Sequence, residues 1–387
     1  MPGRLAVLVV ALLMLAVPGA AAPPDPLACN QEPGNRFFWT ERAFCDLPAH
    51  GPQRAHGAIV WNHGISGTTQ SWMAPAPPAF RLLQARGWDV IMLKRHHAAE
   101  ASNTLYRTVQ RTLDEVTTLR KAGYRKVVVA GQSFGGYVAL EAVDTASDID
   151  AVVAMAPGVR SISAAGQLDA SVTDRILQRA KVGRVALLFP KDDAVFGYVV
   201  RGESAQSILA RRGLPYLLVD ETSGLTGHAA GYSGRFALRY GLCLAEFLGA
   251  ASLPGGRFTC PEVTDAWPVV RELLLPPAAE RSRLVRDPAA LPGALAGLIG
   301  MRWALVGDSL VLVAPVDGGP DGVRLMYRST GFPGGIFDAT VKDSTLRAKL
   351  SNGATITLTP SASGALTWTS SDGSRSLDAP LAPARED

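Results

Sequence analysis

The sequence has no concentrated block of basic residues. Its 38 lysines and arginines stand against 34 acidic residues, and the arginines are scattered through a chain of 387 residues. Nucleic-acid-binding proteins gather their cations into a patch or stripe that follows the phosphate backbone. We therefore expect no nucleic-acid partner, and we interpret the net charge of +4 as a contribution to solubility.

Cysteine is also scarce, at four residues. None of the four has a histidine or another cysteine at the spacing of metal ligands, so we expect neither a structural metal nor a cofactor. The cysteines fall into two local pairs, Cys29 with Cys45 and Cys243 with Cys260. Two local disulfides are the simplest of three possible connectivities, and the sequence leaves the choice open.

The apolar run at the N-terminus, Leu5 to Val17, is too short for a comfortable membrane span. Arg4 precedes it and small residues follow it up to Ala22, a pattern typical of a secretory signal peptide over residues 1–22. We expect an exported protein, periplasmic or secreted, with no membrane span after cleavage, in a compartment where disulfides persist. A retained anchor and a lipoprotein acylated at Cys29 are the alternatives.

Buried β-type runs alternate with helical patterns between residues 58 and 249. This alternation predicts a mostly parallel sheet with helices on both faces, whose ligands bind at the carboxyl ends of the strands. The predicted strands begin near Ala58, Trp88, Lys126, Ala151, Val185 and Tyr216.

The pattern changes from residue 293 onward, where seven short β-type runs lie between turn signals. This part has no histidine and predicts an all-β module, a barrel or a sandwich, whose ligand the sequence does not reveal. We expect residues 23–272 to form the α/β domain, residues 273–292 a linker and residues 293–387 the β module.

The most informative stretch joins a β-branched run, Lys126 to Ala130, to a helical pattern that starts at Phe134. Between them lies Gly131-Gln132-Ser133-Phe134-Gly135. A turn this tight forces the serine into a strained conformation, and glycines two residues before and after it avoid Cβ collisions. The pattern predicts a nucleophilic Ser133 hydroxyl above a helix N-terminus; the alternative is a serine that caps the helix.

This turn resembles the nucleophile elbow of the α/β-hydrolase superfamily, among whose members are serine esterases and dienelactone hydrolases. The loop His63-Gly64-Ile65 resembles the family's His-Gly-x motif. The resemblance covers residues 58–249 and implies the α/β-hydrolase fold. It also implies that the backbone N–H groups of Ile65 and Phe134 form the oxyanion hole.

The family's chain order of serine, acid and histidine indicates the partners of Ser133. Asp193 matches the family's acid loop, in which an apolar residue two positions later packs beneath the site; its neighbour Asp192 is the alternative. His228 is the only histidine after the next predicted strand, and it lies in a glycine-flanked loop. The resemblance implies that His228 is the base and that Asp193 orients it.

Other side chains near these loops are candidates for a substrate pocket. His63 is expected mainly to brace its loop, and Lys94 and Arg95 could meet an acidic group of the substrate. A metal site at His96 and His97 with Glu100 is a further alternative. The pocket candidates are His63, Trp72, His97, Phe196 and Tyr198.

The resemblance implies hydrolysis of an ester, thioester, amide or lactone through an acyl-enzyme, and the leading hypothesis is an exported serine hydrolase that cleaves carboxylic esters. The segment from Arg160 to Arg184 is too short for a large cap, which favours small or polymer-linked esters over bulky lipids. A peptidase or amidase using the same triad is one alternative. A non-catalytic envelope protein that binds a partner through the β module is the other.

Overall fold

The computed structural model describes residues 27–29, 36–65, 73–96, 104–158, 170–196, 200–287, 291, 293–318, 322–331, 334–360, 366–371 and 376–385. Eight strands form the first sheet. They are β1 (Phe38–Arg42), β2 (Gly57–Asn62), β3 (Trp88–Arg95), β4 (Val127–Gln132), β5 (Ala151–Met155), β6 (Arg184–Leu188), β7 (Pro215–Val219) and β8 (Gly256–Arg257).

The order of these strands is β1-β3-β2-β4-β5-β6-β7-β8. Only β1 runs antiparallel to its neighbour, β3, and every other pair is parallel. Asn62 at the end of β2 pairs with Gly131 near the end of β4, so the loops that follow both strands emerge at the same edge. The sheet therefore brings the loop that contains His63, Gly64 and Ile65 (the oxyanion loop) close to the turn that contains Ser133.

Helices cover both faces of this sheet. Strand side chains alternate between two apolar clusters, so that Ile59 and Trp61 point to one face while Ala58 and Val60 point to the other. Burial on both faces explains why these strands are continuous apolar runs. The helices are α1 (Pro78–Ala85), α2 (Thr104–Ala122), α3 (Phe134–Thr145), α4 (Ala170–Arg179), α5 (Gly202–Arg211), α6 (Leu242–Gly249), α7 (Trp267–Leu274) and α8 (Ala278–Arg281).

The C-terminal region folds into a second, separate sheet that is entirely antiparallel and nearly closes into a barrel. Its interior holds apolar side chains of the strands together with Leu291, Leu295 and Leu298 from the segment before them. Its strands are β9 (Arg302–Val306), β10 (Ser309–Asp317), β11 (Val323–Ser329), β12 (Gly335–Lys342), β13 (Thr345–Lys349), β14 (Thr355–Pro360), β15 (Leu366–Ser371), β16 (Ser376–Pro380) and β17 (Ala382–Pro383).

Strand β10 is buried on both sides because it separates the barrel interior from the first sheet's helices. Val311 and Val313 belong to the interior cluster, whereas Leu310 and Leu312 belong to the cluster that includes Phe236 and Val269 of the α/β region. The backbone N–H of Gly234 also donates to the carbonyl of Asp308 at 2.6 Å. The barrel is thus packed onto the α/β region through an apolar face.

The predicted fold class is confirmed, and the differences lie in short or atypical elements. Helix α7 (Trp267–Leu274) and the two-residue strand β8 (Gly256–Arg257) have no counterpart among the predicted elements. Helix α6 is preceded by a π-helical turn at Ala237–Gly241. The barrel has two strands, β16 and β17, beyond the seven predicted runs.

Both local disulfides are present, Cys29 with Cys45 and Cys243 with Cys260. A disulfide at Cys29 is incompatible with the alternative of a lipid on the same sulfur. Within the described residues, no helix has the length and apolar content needed to cross a membrane. The predicted signal peptide, residues 1–22, lies outside the described residues.

Candidate active site

Ser133 occupies a strained turn between β4 and α3. Its φ of 56° and ψ of −123° are unfavourable for a residue with a Cβ. Its N–H donates to Met155 at 2.9 Å, and its carbonyl accepts from the N–H groups of Tyr137 at 3.0 Å and Gly158 at 3.2 Å. These bonds hold the strained backbone in place, while the side chain stays half-buried at the carboxyl edge of the sheet.

The two flanking glycines are sterically required, as the sequence predicted. A Cβ on Gly131 would overlap the carbonyl group of Gly135, and a Cβ on Gly135 would overlap the carbonyl group of Asn62. Ser133 makes no side-chain capping hydrogen bond to α3 within the described residues. The alternative of a helix-capping serine therefore finds no support in the geometry.

His228 and Asp193 are in direct contact. Nδ1 of His228 lies 3.0 Å and 2.9 Å from the two carboxylate oxygens of Asp193. Asp193 is only 4% exposed, and its Oδ1 also accepts from the N–H groups of Val195 at 3.1 Å and Phe196 at 3.3 Å. The adjacent Asp192 is exposed and has a φ of 57°. Asp193, and not Asp192, is thus the carboxylate that contacts this imidazole.

The acid loop and the histidine loop are joined through their backbones. The N–H of Lys191 donates to Leu225 at 2.8 Å, and the N–H of Gly227 donates to Lys191 at 2.7 Å. These two bonds fix the register between the loop after β6 and the loop after β7. The Asp193–His228 contact therefore follows from the relative position of two neighbouring parallel strands.

Gln132 connects the histidine loop to the serine turn. Its side-chain Nε2 donates to the carbonyl of His228 at 2.9 Å, and the residue is 7% exposed. Because Gln132 directly precedes Ser133, this bond fixes the backbone of His228 relative to the serine. No local pattern in the sequence marks this role, since the bond joins residues 96 positions apart.

His63 contacts both the loop that follows β2 and the end of β3. It is fully enclosed, and burial together with the nearby Arg95 charge holds the pKa of His63 well below its usual range. Its Nε2 accepts from the N–H of Arg95 at 3.1 Å, so Nδ1 carries the proton and donates to the carbonyl of Gly64 at 2.7 Å. A neutral imidazole in this tautomer stabilises the loop and does not face a substrate.

The two predicted oxyanion residues lie on either side of Ser133. Phe134 is the first residue of α3, and Ile65, which is 40% exposed, ends the described part of the loop after β2. A Cβ built on Gly64 would lie 3.3 Å from the Cβ of Ser133, so the loop approaches the serine closely.

The aromatic candidates behave differently from one another. Phe196 is 3% exposed and packs edge-on against the His228 ring, with ring centroids 4.9 Å apart. Phe196 therefore packs against the imidazole. The sequence predicted this contact for Val195, two residues after Asp193, but Val195 is 37% exposed. The pocket candidates Trp72, His97 and Tyr198 lie outside the described residues.

Lys94 and Arg95 do not face a substrate, which corrects the prediction that they could meet an acidic group. Lys94 forms an ion pair with Glu41 at 2.5 Å, and Arg95 is completely buried. The metal alternative involves His97 and Glu100, which lie outside the described residues. Among the residues that are described, no three potential metal ligands come together.

Arg201 is a second buried arginine that the sequence analysis missed. Its guanidinium lies over the rings of Phe189 and Phe196, at 4.5 Å and 5.7 Å, and donates to the carbonyl of Pro157. Burial lowers the pKa of Arg201 to about 10, although the negative charges of Asp193 and Glu221 oppose the shift. Arg201 therefore stays positively charged at neutral pH beside the buried carboxylate.

Comparison with known proteins agrees with this architecture. The family model for the alpha/beta hydrolase fold matches residues 57–217. No curated protein matches the sequence.

Several solved structures are similar at low identity. An esterase from Pyrococcus furiosus is 16% identical, with 58% of this chain and 98% of that chain covered and a TM-score of 0.39. A sugar hydrolase from Lactococcus lactis is 12% identical, with 55% and 94% covered and a TM-score of 0.41. A puromycin-hydrolyzing peptidase from Mycobacterium tuberculosis is 16% identical with a TM-score of 0.39; 58% of this chain aligns, but it spans only 39% of the peptidase.

The match to the family model covers the strands and loops that carry the strained serine turn and the acid loop. The mostly parallel sheet, with its single antiparallel strand at the β1 edge, has the corresponding architecture. Residues 57–217 thus match the α/β-hydrolase family, and the region that contains them has the α/β-hydrolase fold.

Proposed function

We propose that this protein is an exported serine hydrolase that cleaves carboxylic esters with Ser133, His228 and Asp193. The observation that carries the proposal is the Asp193–His228 pair, tied through Gln132 to the strained turn that presents Ser133. A serine hydroxyl is a weak nucleophile at neutral pH and needs a base that a carboxylate holds in the correct tautomer. The order of Ser133, Asp193 and His228 along the chain, which is the family's order, supports this assignment.

The first half of the proposed reaction forms an acyl-enzyme. Nδ1 of His228 donates its hydrogen to Asp193. The lone pair of Nε2 is therefore free to accept the proton of Ser133. The Ser133 oxygen attacks the ester carbonyl, and the N–H groups of Phe134 and Ile65 stabilise the oxyanion. The imidazolium then protonates the leaving alcohol as the carbon–oxygen bond breaks.

The second half returns the enzyme to its starting state. His228 takes a proton from water, the resulting hydroxide attacks the acyl-enzyme carbonyl, and the same two N–H groups stabilise the second tetrahedral intermediate. Its collapse releases the carboxylic acid, and the proton returns from His228 to Ser133. Asp193 remains ionised throughout and stabilises the imidazolium in both halves.

Hydrolysis of short p-nitrophenyl esters by purified protein, with and without Ser133→Ala, tests the proposal. The matched control is Ser282→Ala, which removes a hydroxyl from an exposed residue at the end of α8. We expect Ser133→Ala to lower kcat by at least about 10³-fold and Ser282→Ala to leave it near the wild-type value. Activity that survives Ser133→Ala would contradict the proposed nucleophile.

Matched p-nitroanilides measured in parallel separate esters from amides. We expect ester turnover to exceed anilide turnover, and the reverse would favour the peptidase alternative. No turnover of either class would favour a binding protein.

Export is the second part of the proposal, and the two disulfides support it because they persist in oxidising compartments. Expression of the full chain in a bacterial host followed by N-terminal sequencing of the mature protein tests it. We expect cleavage near Ala22 and recovery outside the cytoplasm. An uncleaved N-terminus on protein recovered from the cytoplasm would contradict it.

A further inference from the structure

Arg95 lies at the end of β3 and is completely buried beneath the oxyanion loop. Its Nη2 donates to the carbonyl of His63 at 2.5 Å and to the carbonyl of Gly64 at 3.0 Å. Its backbone N–H donates to Nε2 of His63 at 3.1 Å. A single residue thus holds the loop through two carbonyls and one imidazole.

The same guanidinium also reaches the second side of the proposed oxyanion hole. It lies over the ring of Phe134, with the guanidinium carbon 5.1 Å from the ring centroid. Phe134 and Ile65 carry the two N–H groups assigned to the oxyanion hole. Arg95 therefore contacts one of these residues and the peptide group that leads to the other.

The direction of the Ile65 N–H follows from the Gly64 carbonyl. In a planar trans peptide the C=O and the N–H of one unit point in opposite directions. The carbonyl of Gly64 points toward Arg95 and also accepts from Nδ1 of His63 at 2.7 Å. The N–H of Ile65 belongs to that same unit, so it points away from Arg95.

Burial makes this arrangement rigid. Rotating the His63–Gly64 peptide groups would leave a guanidinium without its acceptors in a water-free interior, which is costly. The rotation would also turn a carbonyl oxygen toward the position at which negative charge develops, and the like partial charges would repel. The fixed orientation is what an oxyanion hole needs before the substrate arrives.

We propose that Arg95 is a positioning residue of the oxyanion hole, and that it orients the Ile65 N–H by binding the carbonyls of His63 and Gly64. This inference rests on the proposed function. Arg95 does not touch the substrate. It acts through the peptide groups that it holds.

Two substitutions test this role, Arg95→Met and Arg95→Lys. Methionine removes the charge and all donors, whereas lysine keeps the charge but loses the planar fork that serves two carbonyls. The matched control is Arg184→Met, because Arg184 also donates to backbone carbonyls, those of Phe247 and Ala250, but stands at the opposite, N-terminal end of its strand.

Three quantities are measured for each variant: kcat and KM on a p-nitrophenyl ester, the inhibition constant of an alkylboronic acid, and the number of active sites titrated with a fluorophosphonate. A boronic acid forms a tetrahedral adduct with the nucleophilic serine and so reports on the oxyanion hole. Dividing rates by titrated sites removes the contribution of misfolded protein.

For Arg95→Met we expect kcat per active site to fall by about 10²-fold, the cost of removing one oxyanion donor. The boronate inhibition constant should rise by a similar factor, while KM changes little. Arg95→Lys should lie between Arg95→Met and wild type. Arg184→Met should match wild type per active site in all three quantities.

An Arg95→Met variant with wild-type kcat and boronate affinity per active site would overturn the proposal. The proposal would also be overturned if both Arg95→Met and Arg184→Met lost activity only in proportion to their loss of titrated active sites. These results leave the proposed function intact as long as the wild-type protein is active and Ser133→Ala is not. A wild-type chain that hydrolyses no ester would remove both proposals.

Discussion

At the scale of single residues, two adjacent carboxylates illustrate how burial selects a role. Asp193 is 4% exposed and contacts the His228 ring, whereas Asp192 is exposed and is turned outward by a backbone φ of 57°. A buried carboxylate that accepts two backbone N–H groups is held in one orientation. It can therefore fix the tautomer of an imidazole, which an exposed carboxylate in free rotation cannot do.

The neighbouring pair permits a matched test. We predict that Asp193→Asn lowers kcat on p-nitrophenyl esters by about 10³-fold to 10⁴-fold, because an amide no longer selects the tautomer with a free Nε2. Asp192→Asn removes the same charge one residue away and should stay within about threefold of wild type. Equal losses in the two variants, after correction for titrated active sites, would contradict the assignment of Asp193.

Glu115 in α2 gives a prediction about stability and pH. Burial raises the pKa of Glu115 to about 7, and its Oε1 has no hydrogen-bond partner among the described residues. Since the folded-state pKa lies above the unfolded value, the folded chain binds the extra proton. The contribution of Glu115 to the free energy of unfolding should therefore fall as the pH rises from about 4.5 to about 7 and stay lower above that range.

Glu115→Gln removes this dependence. We expect it to stabilise the protein by about 1 to 2 kcal/mol at pH 8 and to change little at pH 4.5, where the glutamate is already protonated. Urea unfolding at the two pH values measures both effects. A variant that is stabilised equally at both would show that the charge of Glu115 is not the cause.

At the scale of elements, the strands that could be predicted from the sequence are those with a clear pattern. In the first sheet these are continuous apolar runs, and in the barrel they are short β-type runs between turn signals. Strand β8 has only two residues and carries no pattern, and α7 was hidden by the proline-rich composition that follows it. Of these two missed elements, only β8 lacks a periodic pattern, whereas α7 buries Trp267, Val270 and Leu274 at helical spacing.

The residues of the candidate site also differ in whether a sequence pattern marks them. Ser133, Asp193 and His228 could be proposed from the sequence because chain order and local motifs mark them. Arg95 and Arg201 could not, because their partners lie 31 or 32 and 44 residues away along the chain. In the sequence an arginine that stabilises a loop looks the same as one that meets a substrate, and burial alone separates the two.

The turn that carries Ser133, residues 131–135, gives a prediction about packing. A Cβ on Gly135 would overlap the backbone of Asn62 and His63, so Gly135→Ala must push α3 away from β2. We expect a loss of at least about 2 kcal/mol in the free energy of unfolding and a loss of fluorophosphonate labelling.

The control is Gly249→Ala at the end of α6, where a Cβ would meet no atom within 4 Å. It should be neutral within about 0.5 kcal/mol. Unfolding in urea measures both variants. Wild-type stability and labelling in Gly135→Ala would show that the turn tolerates a wider spacing than the structure has.

At the scale of the whole molecule, the barrel is part of the folded unit rather than an appendage. Side chains of β10 alternate between the barrel interior and the apolar cluster shared with the α/β region. The interface between the barrel and the α/β region also contains an ion pair, in which Arg328 donates to Glu280 at 3.1 Å. Exposed ion pairs contribute little, so the apolar contacts dominate the stability of this interface.

This packing predicts the result of removing the barrel. A chain that ends at residue 292 should expose the apolar surface formed by Phe236, Val269 and their neighbours, bind a hydrophobic dye and aggregate. In the full chain, Leu312→Asp places a charge in the same apolar interface and should lower the unfolding temperature by several degrees. A truncated chain that remains monomeric with an unchanged unfolding temperature would show that the barrel folds and acts independently.

The central claim is that one hydroxyl, one imidazole and one carboxylate act as a single unit. Fluorophosphonate labelling followed by peptide mapping tests it most directly, because the reagent marks an activated serine whatever the natural substrate is. The account predicts one label per chain, on Ser133, and loss of that label in His228→Ala. A label on another serine, or undiminished labelling of Ser133 in His228→Ala, would contradict it.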